Sequence, residues 1–323
     1  MMSLFDKVRK ITPQAILLRI LEKTKLWCHD MIVRLTANSS STSSLHVLHL
    51  PQEETEDSLF RYLSDYHFEN SGKEEMDNYL REDFKRFLYT LQIIPEGEGR
   101  LLEIGANPYF MTMLLQKFTR YELHLMNYFS PEHPLNGMDK KVNEAGKEIS
   151  FPYYNINIET DEIPFPDQYF DVVLCCEVIE HLTHDPMQAL ANIKQKLKPG
   201  GTIVLSTPNV ARLENVSRMM AGVNIYDPYS GYGPYGRHNR EYNVHEMNLL
   251  MNHMGFEVQK LFTADVHPNR SADYYPPERF IELLTPRKRD LGQYIFCVAT
   301  DRETPKYRKP AWLYRSYPPE ELE

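Results

Sequence analysis

Cysteine is scarce in this chain of 323 residues, with only Cys28, Cys175, Cys176 and Cys297. Their spacing matches neither a disulfide framework nor a zinc ribbon, and the adjacent Cys175 and Cys176 cannot easily bridge each other. Such usage implies buried, reduced thiols in a cytoplasmic protein. Long apolar runs are also lacking. None nears the roughly 18 residues that span a bilayer, and the start shows no unbroken apolar stretch with a small-residue cleavage site. Positive charge is in deficit. Lys and Arg total 36 against 45 Asp and Glu, giving a net charge of −9. A chain of that sign has no global field for nucleic acid, whose binding rests on neutralising phosphates.

Hydrophobic residues make up 42% of the chain, enough for a sizeable core. Residues 1–36 run against the overall charge. They hold Lys7, Arg9, Lys10, Arg19, Lys23, Lys25 and Arg34 against Asp6, Glu22 and Asp30. Ile16, Leu17, Ile20, Leu21 and Leu26 recur among them at near-helical spacing. The pattern predicts a basic amphipathic helix. It either lies on an anionic membrane surface, making the protein peripheral there, or packs on its own core or on a second subunit of a homodimer. Residues 37–44 read ANSSSTSS and predict a flexible linker that runs to residue 52.

Helical periodicity follows over residues 53–65 and 73–91, with Met76, Leu80, Phe84, Phe87 and Leu88 on one face of the second segment. Together they predict a helical lid over residues 53–97. The texture then alternates between short strands and helices. Strands are predicted at 100–104, 122–126, 151–156, 170–176, 202–206, 256–262 and 294–300. Helices are predicted at 109–117, 185–197 and 243–254, with Asp185 and Pro186 opening the second of these. Pro199-Gly200-Gly201 reads as a turn. This rhythm predicts an α/β domain over residues 98–302, Rossmann-like, with a seven-stranded, mostly parallel sheet and helices on both faces. Residues 303–323 form a tail.

Ligands of such sheets sit beyond the carboxyl ends of the strands. The first strand-to-helix junction is LLEIGANPYF, residues 101–110. It is followed in order by NIETDEIPFPDQYFDVV, CEVIEHL, LKPGGTIVLSTPN and MGFEV, ending at residue 258. As a set these motifs resemble class I S-adenosylmethionine-dependent methyltransferases over residues 98–262, especially the branch with ubiquinone-pathway O-methyltransferases. The resemblance implies S-adenosylmethionine as cofactor. It assigns Glu103, Gly105, Ala106 and Asn107 to the methionine part, and Asn157, Ile158 and Glu159 to the adenine. It gives Cys175 and Cys176 backbone carbonyls that meet the cofactor's amino group. Two departures stand out. The first turn has only Gly105 before Ala106-Asn107-Pro108. Asn127 stands where an acid usually holds the ribose hydroxyls, and an amide accepts from a hydroxyl without charge assistance. A non-catalytic methyltransferase fold used for binding therefore stays open.

Glu177, Glu180 and His181 are spaced i, i+3, i+4 and point the same way if a helical turn follows the fourth strand. With His238 downstream of STPN, they resemble the small-RNA 2′-O-methyltransferases. That resemblance implies Glu177, Glu180, His181 and His238 as ligands of Mg²⁺ or another divalent cation. A cation of this kind acidifies a hydroxyl and fixes it against the methyl donor. The alternative is metal-free catalysis with His181 or His238 as general base.

Residues 219–239 are rich in Tyr, Gly and Pro and lie where this fold places substrate-covering loops. Tyr226, Tyr229, Tyr232 and Tyr235, with Arg237, are candidate contacts to a small-molecule or glycan acceptor. The reading is O-methylation of a saccharide or glycolipid-type hydroxyl. A small phenol and an RNA ribose are the alternatives, the latter disfavoured by charge.

Overall fold

A computed structural model describes residues 47–68 and 73–323. The basic segment 1–36, residues 37–46 of the linker and Cys28 lie outside the described residues. The rest of the linker is held in place. His49 N–H donates to Gln92 Oε1 at 2.6 Å, and Leu48 and Leu50 pack on the core.

Helix α1 (Glu56–Ser64) opens with a capping box in which Thr55 and Ser58 satisfy each other's backbone N–H. Strand β1 (Tyr66–Phe68) precedes the long helix α2 (Lys73–Ile93), which buries Leu80, Phe84, Phe87, Leu88 and Leu91. Then come β2 (Glu98–Ile104), α3 (Phe110–Phe118), β3 (Arg120–Asn127), β4 (Asn136–Asn143) and β5 (Glu148–Asn155). The second half holds β6 (Phe170–Cys176), α4 (Pro186–Lys196), β7 (Leu197–Pro208), α5 (Leu213–Met220), α6 (Val244–His253), β8 (Phe256–Ala264) and β9 (Tyr294–Asp301). Asp185 caps α4, accepting from Met187 N–H at 2.9 Å, and Asn243 and Glu246 form the capping box of α6.

The sheet has nine strands in the order β1-β4-β5-β3-β2-β6-β7-β9-β8. Its centre, β5-β3-β2-β6-β7, is parallel throughout. All seven expected strands are present. The two extra ones, β1 and β4, add an antiparallel edge beside β5. Strand β4 reads NGMDKKVN, with polar residues at most positions, so it carries little of the apolar alternation that marks a strand. Residues 199–201, expected to form a turn, lie inside β7 next to a register shift against β6.

Because successive strand residues face opposite ways, the central strands feed two cores. Leu101, Val172 and Val204 pack in one with α2 and α3. Leu102, Val173 and Leu205 pack in the other with α4 and α6. Residues 303–323 fold back onto this second face. Tyr314 is buried with its hydroxyl on Asp185, and His253 Nε2 donates to the Arg308 carbonyl at 2.7 Å. No helix among the described residues is long and apolar enough to cross a membrane.

One core residue is ill matched to its surroundings. Lys141 on β4 is fully buried, and its Nζ has no hydrogen-bond partner among the described residues. It sits 3.9 Å from the Phe110 ring centroid and 5.0 Å from that of Phe68. Burial lowers its pKa from 10.5 to about 7. The unfolded chain therefore binds more protons than the folded one between those values, and stability gained from Lys141 rises with pH across that window. Lys141→Met is expected to raise the melting temperature at pH 6 to 7, with the advantage over wild type shrinking as pH climbs toward 10. An advantage independent of pH in thermal melts would contradict a buried, neutralised lysine.

Candidate active site

Strands β3 and β6 leave β2 on opposite sides, so the crevice expected of this topology opens above the end of β2. The chain turns there at Gly105, whose φ is 74°. A Cβ at that position would lie 2.8 Å from Val178 Cγ2, and the Cys176 carbonyl oxygen is 3.8 Å from the same point. Glycine is thus required both by the backbone conformation and by the closeness of the β6 end. Gly105 and Ala106 N–H donate to the Met126 carbonyl at 2.8 and 3.3 Å. The Cys176 carbonyl is beside the turn. Cys175 is buried within the sheet, paired with Ile104 and Leu205.

Asn127 is placed differently from the expectation. Its carbonyl oxygen accepts Asn107 N–H at 2.8 Å, and its amide donates to the Tyr109 hydroxyl at 3.0 Å. Tyr109 in turn donates to Asp139 at 2.6 Å and stacks on Phe151 with centroids 4.4 Å apart. Asn127 is buried and braces the turn from below, in place of the free ribose acceptor that the sequence suggested.

The cavity over the turn is lined by Arg86, Phe87, Glu103, Asn107, Cys176 and Glu177, among others. Glu103 is buried with Thr112 Oγ1 donating to it at 2.6 Å, and burial pushes its pKa up to about 8. A cationic ligand group would draw the carboxyl back to its charged form. Arg86 comes from α2. It is buried, donates to Asp83 at 3.1 Å and to the Tyr79 hydroxyl at 3.0 Å, and stacks on Phe87. The sequence placed this stretch on a helix ahead of the core but did not single out Arg86. Lys85 and Arg86 both lie between Phe84 and Phe87, and no local signal separates them.

Beyond β6 the chain does not continue as one helical turn. Glu177 adopts a left-handed φ of 55°, and a short 3₁₀ turn, Ile179–His181, follows. This break sends Glu177 to Ser206, whose hydroxyl donates to it at 2.8 Å. Glu177 is therefore not part of the expected four-residue cluster. The other three do meet. One oxygen of Glu180 and one ring nitrogen each of His181 and His238 lie within 4.8 Å of one another. Glu180 is buried; Oε2 accepts from Thr207 at 2.9 Å, while Oε1 has no hydrogen-bond partner among the described residues. His181 Nδ1 donates to the Arg237 carbonyl at 3.0 Å, leaving Nε2 3.8 Å from Glu180 Oε1. His238 Nδ1 lies 2.9 Å from Glu241 Oε1, and Glu241 also pairs with Arg212. Both imidazoles are thus oriented through Nδ1 by a second partner, as metal-bound histidines usually are. Burial lowers the His181 pKa; for His238, burial is outweighed by Glu241 and the pKa rises.

Residues 157–159 also differ from the expectation. The Glu159 side chain accepts N–H from Thr183, His184 and Asp185 at 2.7 to 2.9 Å. Burial raises its pKa, but these donors outweigh that and hold it below the usual range. Glu159 pins the loop ahead of α4. The Asn157 amide and Ile158 are buried, the amide against Tyr235. Of the expected acceptor contacts, Tyr226 and Tyr232 are 83% and 94% exposed, Arg237 stacks on exposed Tyr229, and only Tyr235 turns inward.

The sequence profile of a family described as a methyltransferase domain matches residues 73–261. A ubiquinone/menaquinone biosynthesis C-methyltransferase of Vibrio parahaemolyticus is 28% identical over 147 residues, 46% of this chain and 53% of that protein. A ubiquinone biosynthesis O-methyltransferase of Aeromonas salmonicida is 32% identical over 110 residues, 34% of this chain and 43% of that one. The chain thus spans about half the length of these curated relatives, or less. A solved SAM-dependent methyltransferase of Thermotoga maritima is 16% identical, covering 71% of this chain and 96% of that chain at a TM-score of 0.44.

Gly105→Ala is expected to destabilise the fold by about 1–2 kcal/mol, from the left-handed backbone alone, before any cost of displacing Val178. Urea unfolding checks this, and an unchanged midpoint would show that the turn is not held in that conformation.

Proposed function

Since this chain belongs to the methyltransferase-domain family, we propose that it transfers the methyl group of S-adenosylmethionine to a hydroxyl oxygen, on a saccharide or glycolipid-type acceptor. The relatives divide between carbon and oxygen acceptors in their names, so the family alone does not choose. The observation that favours oxygen is the cluster of Glu180, His181 and His238, built on the 3₁₀ turn that follows β6. One carboxylate and two oriented imidazoles suit a borderline divalent ion that keeps positions open for substrate. The orphaned Glu180 Oε1 fits that use, since a buried carboxylate oxygen without a partner is costly. Such a cation, bound there, would acidify the acceptor hydroxyl and fix its direction.

The chain's own residues hold the donor. Arg86 takes the cofactor's carboxylate, while Glu103 and the Cys176 carbonyl take its ammonium. In the transfer, the bond from methyl carbon to sulfonium sulfur breaks with its electron pair kept on sulfur. The bond to the acceptor oxygen forms, and the hydroxyl proton goes to water. S-adenosylhomocysteine is the second product. The exposed rings of Tyr226, Tyr229 and Tyr232 stand next to His238 in the chain and support a sugar-bearing acceptor, which presents faces for stacking and vicinal hydroxyls.

Two tests follow from this assignment. A charge-assisted hydrogen bond contributes about 1.5–3 kcal/mol, so Arg86→Ala should weaken S-adenosylhomocysteine binding about ten- to hundredfold in calorimetry, with Arg86→Lys in between. Equal affinities would remove Arg86 from the cofactor site. For the cation, dialysed protein should bind Mn²⁺ at one site, and Glu180→Gln or His238→Ala should lose that binding. Methyl transfer to hydroxylated acceptors should stop with a chelator and return with added Mg²⁺ or Mn²⁺. Transfer that persists after exhaustive chelation would leave His181 or His238 as a metal-free base.

A further inference from the structure

The donor reading above, on which this inference rests, is joined here to the methyltransferase resemblance, which assigns the adenine ring to residues 157–159 just past β5. A protein side chain already stands there. Tyr235 belongs to the short 3₁₀ turn Pro234–Gly236 in the tyrosine-rich loop. Its hydroxyl accepts from Asn157 Nδ2 at 2.8 Å and donates to Glu159 Oε2 at 3.2 Å, with Thr183 Oγ1 3.3 Å away. Its ring meets that of Tyr128, just past β3, edge to face at 5.3 Å. The Asn157 carbonyl oxygen is taken as well, by Glu159 N–H at 3.0 Å. Asn157 and Ile158 are only 7% and 5% exposed. The cavity over the Gly105 turn has neither of them, nor Tyr128, in its lining. The methionine end of the crevice is open, and the adenine end is filled by a phenol.

We propose that Tyr235 is a built-in competitor for the adenine subsite. An adenine edge needs the Asn157 amide, and the Tyr235 hydroxyl holds it. The two rings cannot both face Tyr128 from the same side. The backbone on both sides of Tyr235 is anchored, so the side chain alone has to leave: the Pro234 carbonyl accepts from Asn239 Nδ2 at 2.8 Å and the Arg237 carbonyl from His181 Nδ1 at 3.0 Å. Asn239 and Arg240 N–H donate to the Glu180 carbonyl at 2.8 and 3.2 Å, which anchors the chain just after His238. Cofactor entry then expels the Tyr235 ring and breaks the contacts of its hydroxyl with Asn157 and Glu159. Apparent cofactor affinity is reduced by the fraction of molecules in which the latch is closed.

The test is calorimetric titration of the full chain with S-adenosylhomocysteine, comparing wild type, Tyr235→Phe and Tyr235→Ala, each checked for an unchanged thermal melt. A latch closed about nine-tenths of the time predicts about tenfold tighter binding by Tyr235→Ala. Tyr235→Phe, which keeps the ring and loses the hydroxyl contacts, should fall between. Unchanged affinity overturns the competitor while leaving the donor reading intact. Weaker binding by Tyr235→Ala also overturns it, since the ring would then be stacking on adenine. No binding by any of the three proteins at millimolar ligand overturns the donor reading and this inference with it.

Discussion

The site depends first on Asn127. Two hydrogen bonds from one buried amide tie the Gly105 turn to β3 and to Tyr109, and Tyr109 carries the load onward to Asp139 of β4 and Phe151 of β5. Without them, the backbone from 105 to 109, four non-glycine residues and a single glycine, would be held to β3 by the Met126 carbonyl alone. The chain has fewer glycines in this turn than its relatives' pattern leads one to expect. It compensates with a side-chain brace, made of groups that can neither be replaced by apolar ones nor left unpaired at low cost. The antiparallel edge formed by β1, β4 and β5 thereby acquires a purpose beyond closing the sheet, because it is the far end of that brace.

A second constraint comes from the end of β6. The left-handed residue at Glu177 divides the E-x-x-E-H stretch between two tasks. Glu177 faces Arg86 and Ser206 at the cavity where the donor would sit. Glu180 and His181 face His238, where the acceptor is proposed to bind. One short segment thus lies between both halves of the reaction, and the strand register that fixes Cys176 beside Gly105 also fixes the separation between them.

The parallel sheet and its order of elements were legible in the sequence because apolar strands, capping residues and glycine turns are local signals. Asp185-Pro186 and the Asn243…Glu246 box read directly as helix starts. Strand β4 was not legible, since its exposed polar residues carry no alternation. At the site, residue types were readable and side-chain directions were not. The i, i+3, i+4 spacing of Glu177, Glu180 and His181 assumed a helical turn, and one positive φ removed Glu177 from the group. Asn127, Asn157 and Glu159 were identified by position, but their partners are Asn107, Tyr235 and the 183–185 loop, 20 or more residues away. Arg86 escaped notice because nothing local marks which cation on a helix is buried.

The central claim is that a methyl group passes to oxygen at the junction of the Gly105 turn and the Glu180–His181–His238 cluster. The most direct measurement is carbon-13 NMR after incubating the full chain and Mg²⁺ with methyl-labelled S-adenosylmethionine and a pooled extract of glycans and glycolipids. The account predicts a new labelled resonance in the methoxy region, absent from a Glu180→Gln control. Label appearing on carbon or nitrogen, or a methoxy product made equally well by the Glu180→Gln variant, would contradict it.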